Sequence, residues 1–249
     1  MVLPLLLAAA CAQAQQTPTE LHVAAASDLQ PVLPALAAKY AAETGVKIVA
    51  SFGSSATLTQ QVENGAPQDV FLSADFVHPE ELVAAGLTVE RVPVPYARGV
   101  LVVWARKDSP AQPLTLEALT NPKVAKIAIA NPLHAPYGMA ATQALESLHL
   151  TAATKNKLVI AENIGQTAQF AESGNAQVGI ISLTIASSPH YQELGSFVRF
   201  PPSSYGVIRQ CGVVLKASKN QAAAEAFLKW LTSAAVQESL PKFGLDAAE

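Results

Sequence analysis

The stretch SFGSSATLTQQVENGAPQDVFLSAD, from Ser51 to Asp75, carries three serines, two threonines and a glycine before its first charged residue, Glu63. So many small hydroxyls just ahead of a helical pattern suit three kinds of chemistry: a serine nucleophile, a phosphate cradle, or an uncharged cup for an anion. Each needs different company. A nucleophile needs a base and a group that orients the base. A P-loop needs G-x-x-x-x-G-K-[ST], and the chain has none. An anion cup needs only donors that converge.

That last demand is met repeatedly. Four strand-to-helix junctions carry small or hydroxyl residues: AAASD at Ser27, SFGSSAT at Ser54 and Ser55, APYGM at Tyr137, and AENIGQT at Ile164. A helix N-terminus leaves N–H groups unpaired and carries about half a positive charge. A serine hydroxyl beside it completes a cup without Lys or Arg, and none of these four stretches contains either. Any one junction alone reads as an ordinary helix cap; the set points to a ligand. The nucleophile reading is weaker. FGSSA lacks the G-x-S-x-G elbow, and the nearest candidate base, His134 in NPLHAPYG, reads more simply as a solvated or backbone-bonded loop histidine. His22, His78, His134, His149 and His190 are scattered, with no metal-ligand spacing and only two cysteines to help. Trp104 and Trp230 fall in apolar patterns and read as core.

Composition narrows the class. Of 249 residues half are hydrophobic and 14% charged, which excludes a disordered chain. Net charge is −3 with no basic run, which argues against a nucleic-acid surface. The apolar run Val2 to Ala10 is too short to span a bilayer and has the length of a signal-peptide core. Export is expected, with cleavage either after Ala14 in AQA or before Cys11 in LAAAC; the second route makes Cys11 a lipid anchor. Either route leaves Cys211 without a disulfide partner.

The elements that must position the junctions alternate. ELHVAAA is a strand; Leu29, Val32, Leu33, Leu36 and Tyr40 then mark an amphipathic helix with Ser27 as its N-cap and Pro34 kinking its interior. VKIVASF, DVFLSAD, GVLVVWA, KIAIA, KLVIA, VGIISL and VIRQCGVVL read as further strands with helices between them. The pattern predicts an α/β fold of βαβ units with mainly parallel sheets flanked by helices. Proline- and arginine-bearing loops at Val92 to Arg98 and Pro201 to Tyr205 read as two crossings between lobes. The expected division is a leader at 1–19, lobe one at 20–97, an inserted lobe two at 98–200 and a return segment at 201–249. A ligand then sits in the interlobe cleft, at the carboxyl ends of strands.

AAASDL, the whole Ser51–Asp75 stretch and GVVL near the end resemble the periplasmic molybdate-binding proteins of ABC transporters, over about Glu20 to Leu245. The resemblance implies the type II two-lobed, hinged periplasmic-binding-protein fold. It also implies a monomer that is not an enzyme and has no cofactor. Such a protein takes up molybdate and tungstate as ligands through hydroxyls and amides and delivers them to a membrane permease. By motif, Ser27 and Ser55 supply hydroxyls, and Tyr137 and Ile164 supply backbone amides. Some members have a contacting tyrosine where this chain has Ser182, so Ser182 either reaches the anion through water or the contact is lost. Asp28, in the first helical turn, is expected to point outward, away from the anion. Molybdate is fully deprotonated at neutral pH and wants donors alone, whereas phosphate brings a proton that wants an acceptor. Sulfate is also unprotonated; it and other oxyanions remain the alternative ligands, separated by size.

Overall fold

A computed structural model describes residues 19–248. The leader, with Cys11, lies outside the described residues except for Thr19. The chain first builds β1 (Glu20–Ala26), α1 (Leu33–Thr44), β2 (Lys47–Gly53), α2 (Ser55–Glu63), β3 (Val70–Ser73), α3 (Val77–Ala84) and β4 (Val94–Gly99). It continues as β5 (Leu101–Arg106), β6 (Ile127–Ala130), α4 (Pro136–Ser147), α5 (Thr151–Thr154), β7 (Leu158–Ala161) and α6 (Ile164–Glu172). Then come β8 (Val178–Ser182), α7 (Leu183–Ala186), α8 (Pro189–Leu194) and β9 (Gly195–Arg199). It closes with β10 (Ile208–Val214), α9 (Gln221–Leu231), α10 (Ala234–Gln237) and β11 (Asp246–Ala247).

These strands form two sheets, ordered β11-β4-β10-β3-β1-β2 and β7-β6-β8-β5-β9. Two packed layers of helix on sheet result, joined where β4 passes to β5 through Val100 and where β9 passes to β10. The expectation of mainly parallel sheets is corrected. β1 pairs in parallel with β2 and β3, and β6 with β7 and β8. However, β10 runs antiparallel to β3 and β4, β11 to β4, and β5 to β8 and β9. β5 and β10 enter from the other sheet rather than by a helical return over their own, so nothing obliges them to run parallel to their neighbours. Both sheets are therefore mixed.

Register aligns the strand ends. β1 and β2 match residue for residue from Glu20↔Lys47 to Ala26↔Gly53, so the Ser27 and Ser54 junctions lie side by side. In the second sheet Ala130↔Ala161 ends β6 and β7 together and does the same for the starts of α4 and α6. The α1 reading needs revision. A single 3-10 turn, Ser27–Leu29, precedes α1, and Pro34 falls in its first turn, where a missing N–H does no harm. Ser27 is not a cap: its hydroxyl donates to the Gly53 carbonyl at 2.9 Å. β4 and β9 escaped the sequence pattern because they adjoin the crossings, where proline and charge mask their alternation.

Each sheet buries its own core. Leu21, Val23, Leu72 and Phe227 belong to the first, and Leu101, Trp104, Ile180 and Phe200 to the second. Cys211 is a buried free thiol in β10. Leu72 sits at 1% exposure in the middle of the first sheet. Leu72→Ala is expected to cost about 2–5 kcal/mol, read as a lower urea midpoint at unchanged slope.

Candidate functional site

Three helices begin at the seam between the sheets: α2 from one side, α4 and α6 from the other. Ser54 caps α2, its Oγ accepting from the Thr57 N–H at 3.2 Å and donating to Thr57 Oγ1 at 2.7 Å. Ser55 opens the helix. Its Oγ accepts from the Ala74 N–H at 3.2 Å, so its own hydrogen remains to be donated. Asn163 caps α6 through Oδ1, which accepts from the Gln166 N–H at 3.0 Å and leaves the Ile164 amide ahead of the first intrahelical bond. Pro136 starts α4 and Tyr137 follows it, so the Tyr137 amide also lacks an acceptor four residues back.

These starts and the end of β1 enclose one small cavity, lined by Ser27, Ser54, Ser55, Tyr137 and Ile164 among others. The space left there is about 10 Å³, about what one water needs and far too little for an organic molecule. A groove of about 520 Å³ opens beside it, rimmed by exposed Val77, Leu133, Met139 and Val207. The groove is roomier but largely apolar, and the helix starts converge on the cup, which is the candidate site.

Four of the five residues singled out in the sequence, Ser27, Ser55, Tyr137 and Ile164, thus stand together. Ser182 does not line the cup. It caps α7, accepting from the Ile185 N–H at 3.4 Å, and its hydroxyl pairs with Thr184 Oγ1 at 2.7 Å. Thr184 in turn donates to the Asp28 carbonyl at 2.7 Å, so this chain of hydroxyls ties the second sheet's elements to the turn after β1. A nucleophilic serine finds no support: the His134 ring pairs with Asn131 at 3.3 Å, and its carbonyl accepts from the Ala56 N–H.

Asp28 is the main correction. Expected to face outward, it is 0% exposed and lines the cup. Its Oδ2 accepts from Gln210 Nε2 of β10 and from the Tyr137 hydroxyl at 3.2 Å. Burial raises its pKa to about 7, against the lowering pull of the bonds from Gln210 and Tyr137. The Tyr137 phenol is pushed well above its ordinary range, by burial first and then by the Asp28 charge. The turn after β1 is a 3-10 turn wedged against α6 and α7, which is why its side chain cannot reach solvent. Gly99 makes room for this knot, since a Cβ there would collide with the Tyr137 hydroxyl. Gln210 carried one signal: it is a lone amide in an apolar strand, two residues from Ile208 and therefore on the same face.

Comparison with known proteins agrees with this architecture. Residues 21–246 match the model of a family described as bacterial extracellular solute-binding protein. The chain belongs to that family. This solute-binding protein is 36% identical over 229 residues to the molybdate-binding protein ModA of Azotobacter vinelandii, covering 90% of this chain and 89% of the relative. It is 33% identical to ModA of Rhodobacter capsulatus, covering 90% and 87%. Among solved structures, the periplasmic molybdate-binding protein of Azotobacter vinelandii superposes with a TM-score of 0.82 at 31% identity, covering 92% of this chain and all of that one. The sulfate-binding protein SubI of Mycobacterium tuberculosis shares the fold at a TM-score of 0.79 and 17% identity, covering 92% and 87%. The architecture is thus the type II two-lobed periplasmic-binding-protein fold, each lobe built on one of the mixed sheets.

Thr184→Val removes the donor to a buried carbonyl while keeping the side-chain shape. It is expected to destabilise the protein by about 1–3 kcal/mol, seen as a lower thermal midpoint.

Proposed function

We propose that this solute-binding protein captures molybdate, and tungstate with it, in the cup between its lobes and delivers the anion to an ABC permease. The observation that carries the reading is the meeting of three helix starts and the serines Ser27 and Ser55 around one small cavity whose lining includes no lysine or arginine. The relatives named molybdate-binding proteins, at 36% and 33% identity, support the choice of anion. A fully deprotonated tetrahedral dianion offers only acceptors, and such a cup offers donors already aimed, which replace its water without reorganising.

In this reading Ser55 donates its hydroxyl, and Ser27 turns its hydroxyl from the Gly53 carbonyl to the anion. The amides of Tyr137 and Ile164 complete the set. Ser182 makes no contact and serves the hydroxyl bridge to Asp28. Lobe one comprises 20–97 and 201–249, lobe two 98–200, and closure is a hinge motion about the two crossings. The protein works outside the cytoplasm as a monomer and performs no catalysis. Cys11, outside the described residues, anchors it where lipidation occurs.

Two titrations test this with opposite demands on the chain. Ser55→Ala is expected to weaken molybdate binding by about 1.5–3 kcal/mol, that is about 10- to 150-fold, by calorimetry. Ile164→Pro deletes the backbone hydrogen at the first position of α6, where proline is tolerated and the preceding Asn163 is already extended (φ −150°, ψ 176°), and it also trims a buried core side chain. A loss of binding of similar size is expected, with a lowered thermal midpoint that reports the trimmed side chain separately. Unchanged binding in both variants would remove the cup from the function. Sulfate and phosphate are expected to compete only in large excess; equal competition would make this a general oxyanion carrier.

A further inference from the structure

The Asp28 carboxyl backs the cup and has no cation against it. From β10 it meets the Gln210 amide, and from α4 the Tyr137 hydroxyl. From β4, Tyr96 lies near enough to feel its charge, its hydroxyl donating to the Ser73 carbonyl at 3.0 Å. Beyond Tyr96 lies Asp75, paired with His78. The other charged groups on these elements are engaged or turned away. Arg209 is exposed on the opposite face of β10, with Cys211 beyond Gln210, and Arg98 donates to the Ala247 carbonyl. Near the start of α6, Glu162 accepts from Thr57, and at its end Glu172 accepts from His190 and Tyr191. On β2, Lys47 pairs with Glu20. α7 contributes no titratable group.

Three buried acceptors among the described residues are left without a hydrogen, and two of them, Asp28 Oδ1 and Gln210 Oε1, lie at this knot. They belong to the same bonded pair, since Gln210 Nε2 already donates to Asp28 Oδ2. An ionised carboxylate has no hydrogen to offer its neighbour, whereas a carboxylic acid has one. A proton on Oδ1 donated to Oε1 would close a two-bond ring between acid and amide and would satisfy both atoms.

We propose that Asp28 is a specificity-determining residue that holds this proton whenever an oxyanion occupies the cup, so that capture is coupled to the uptake of one proton. The inference rests on the oxyanion reading above and adds to it. A charged Asp28 would repel the dianion, and a neutral one offers no free acceptor to a protonated oxyanion such as phosphate. The carboxyl's pKa of about 7 in the protein agrees with this geometry. The sign follows. Below about pH 7 Asp28 already holds the proton and affinity is flat. Above it the free protein has lost the proton and must regain it on binding, so affinity falls about tenfold per pH unit. Molybdate itself does not titrate in that range.

The test is calorimetry with molybdate at pH 8 in two buffers of different ionisation enthalpy, HEPES and Tris, together with dissociation constants from pH 6.5 to 8.5. The wild-type protein is expected to take up one proton per anion at pH 8 and to weaken about tenfold per unit above pH 7. Asp28→Asn is expected to take up none and to bind with a pH-independent constant. An infrared difference spectrum of bound minus free wild-type protein at pH 8 should show a protonated-carboxyl stretch, and this needs no variant to fold. Tight wild-type binding with a flat pH profile and no proton uptake overturns the proposal and leaves the oxyanion reading intact. No molybdate binding at any pH overturns that reading, and this proposal with it.

Discussion

A helix cannot satisfy its own first turn, and the cup between the sheets is built on that deficit. Where α2, α4 and α6 begin around one small cavity, their leading N–H groups must find acceptors outside the helices. Ser54 and Asn163 meet part of the need as caps, and a few bonds across the seam, such as the Ala56 N–H to the His134 carbonyl, meet a little more. The rest is a field of aligned dipoles, positive toward the cup. No lysine or arginine lines the cup, so this field is the positive potential that its lining presents, and the rest of the fold holds the three starts in place.

Two devices hold them. Strand pairing sets the starts level: Ala26↔Gly53 in one sheet and Ala130↔Ala161 in the other. A polar knot then joins the sheets behind the cup, where Asp28, Tyr137, Gln210 and Thr184 share bonds drawn from β10, α4, α7 and the turn after β1. Tyr137 belongs to both devices. Its amide sits at the start of α4, while its phenol reaches the Asp28 carboxyl. Burying a carboxyl without a cation is costly unless it is neutral or well bonded, and the raised pKa of Asp28 is the physical trace of that cost.

Local chemistry was legible in the sequence and long-range wedging was not. The junctions at Ser54 and Ile164 are helix starts as the sequence reads them, α4 begins at Pro136 inside a stretch read as a loop, and β1 reads correctly from Glu20 to Ala26 because its apolar run is unbroken. Asp28 was misread because a carboxylate beside a first turn is ordinarily solvated; only the packing of α6 and α7 against that turn buries it. The parallel bias was misread because periodicity reports a strand and its faces but carries nothing about direction once the chain has crossed between sheets. Ser182 sits in a strand end as expected, yet its hydroxyl turns toward Thr184, two residues on.

The helices that point their starts at the cup necessarily point their ends at the far edge of the molecule. There Gly65 and Gly174 follow α2 and α6 with φ of 84° and 77°, and nothing lies within 4 Å of where a Cβ would stand. The molecule therefore has a permissive rim and an intolerant one. Adding a residue inside β1 or β2 would slide the paired ends past each other and turn side chains to the wrong face. Extra length at the glycine turns would be absorbed in open solvent. A fluorophore or affinity handle grafted there would leave the opposite rim undisturbed.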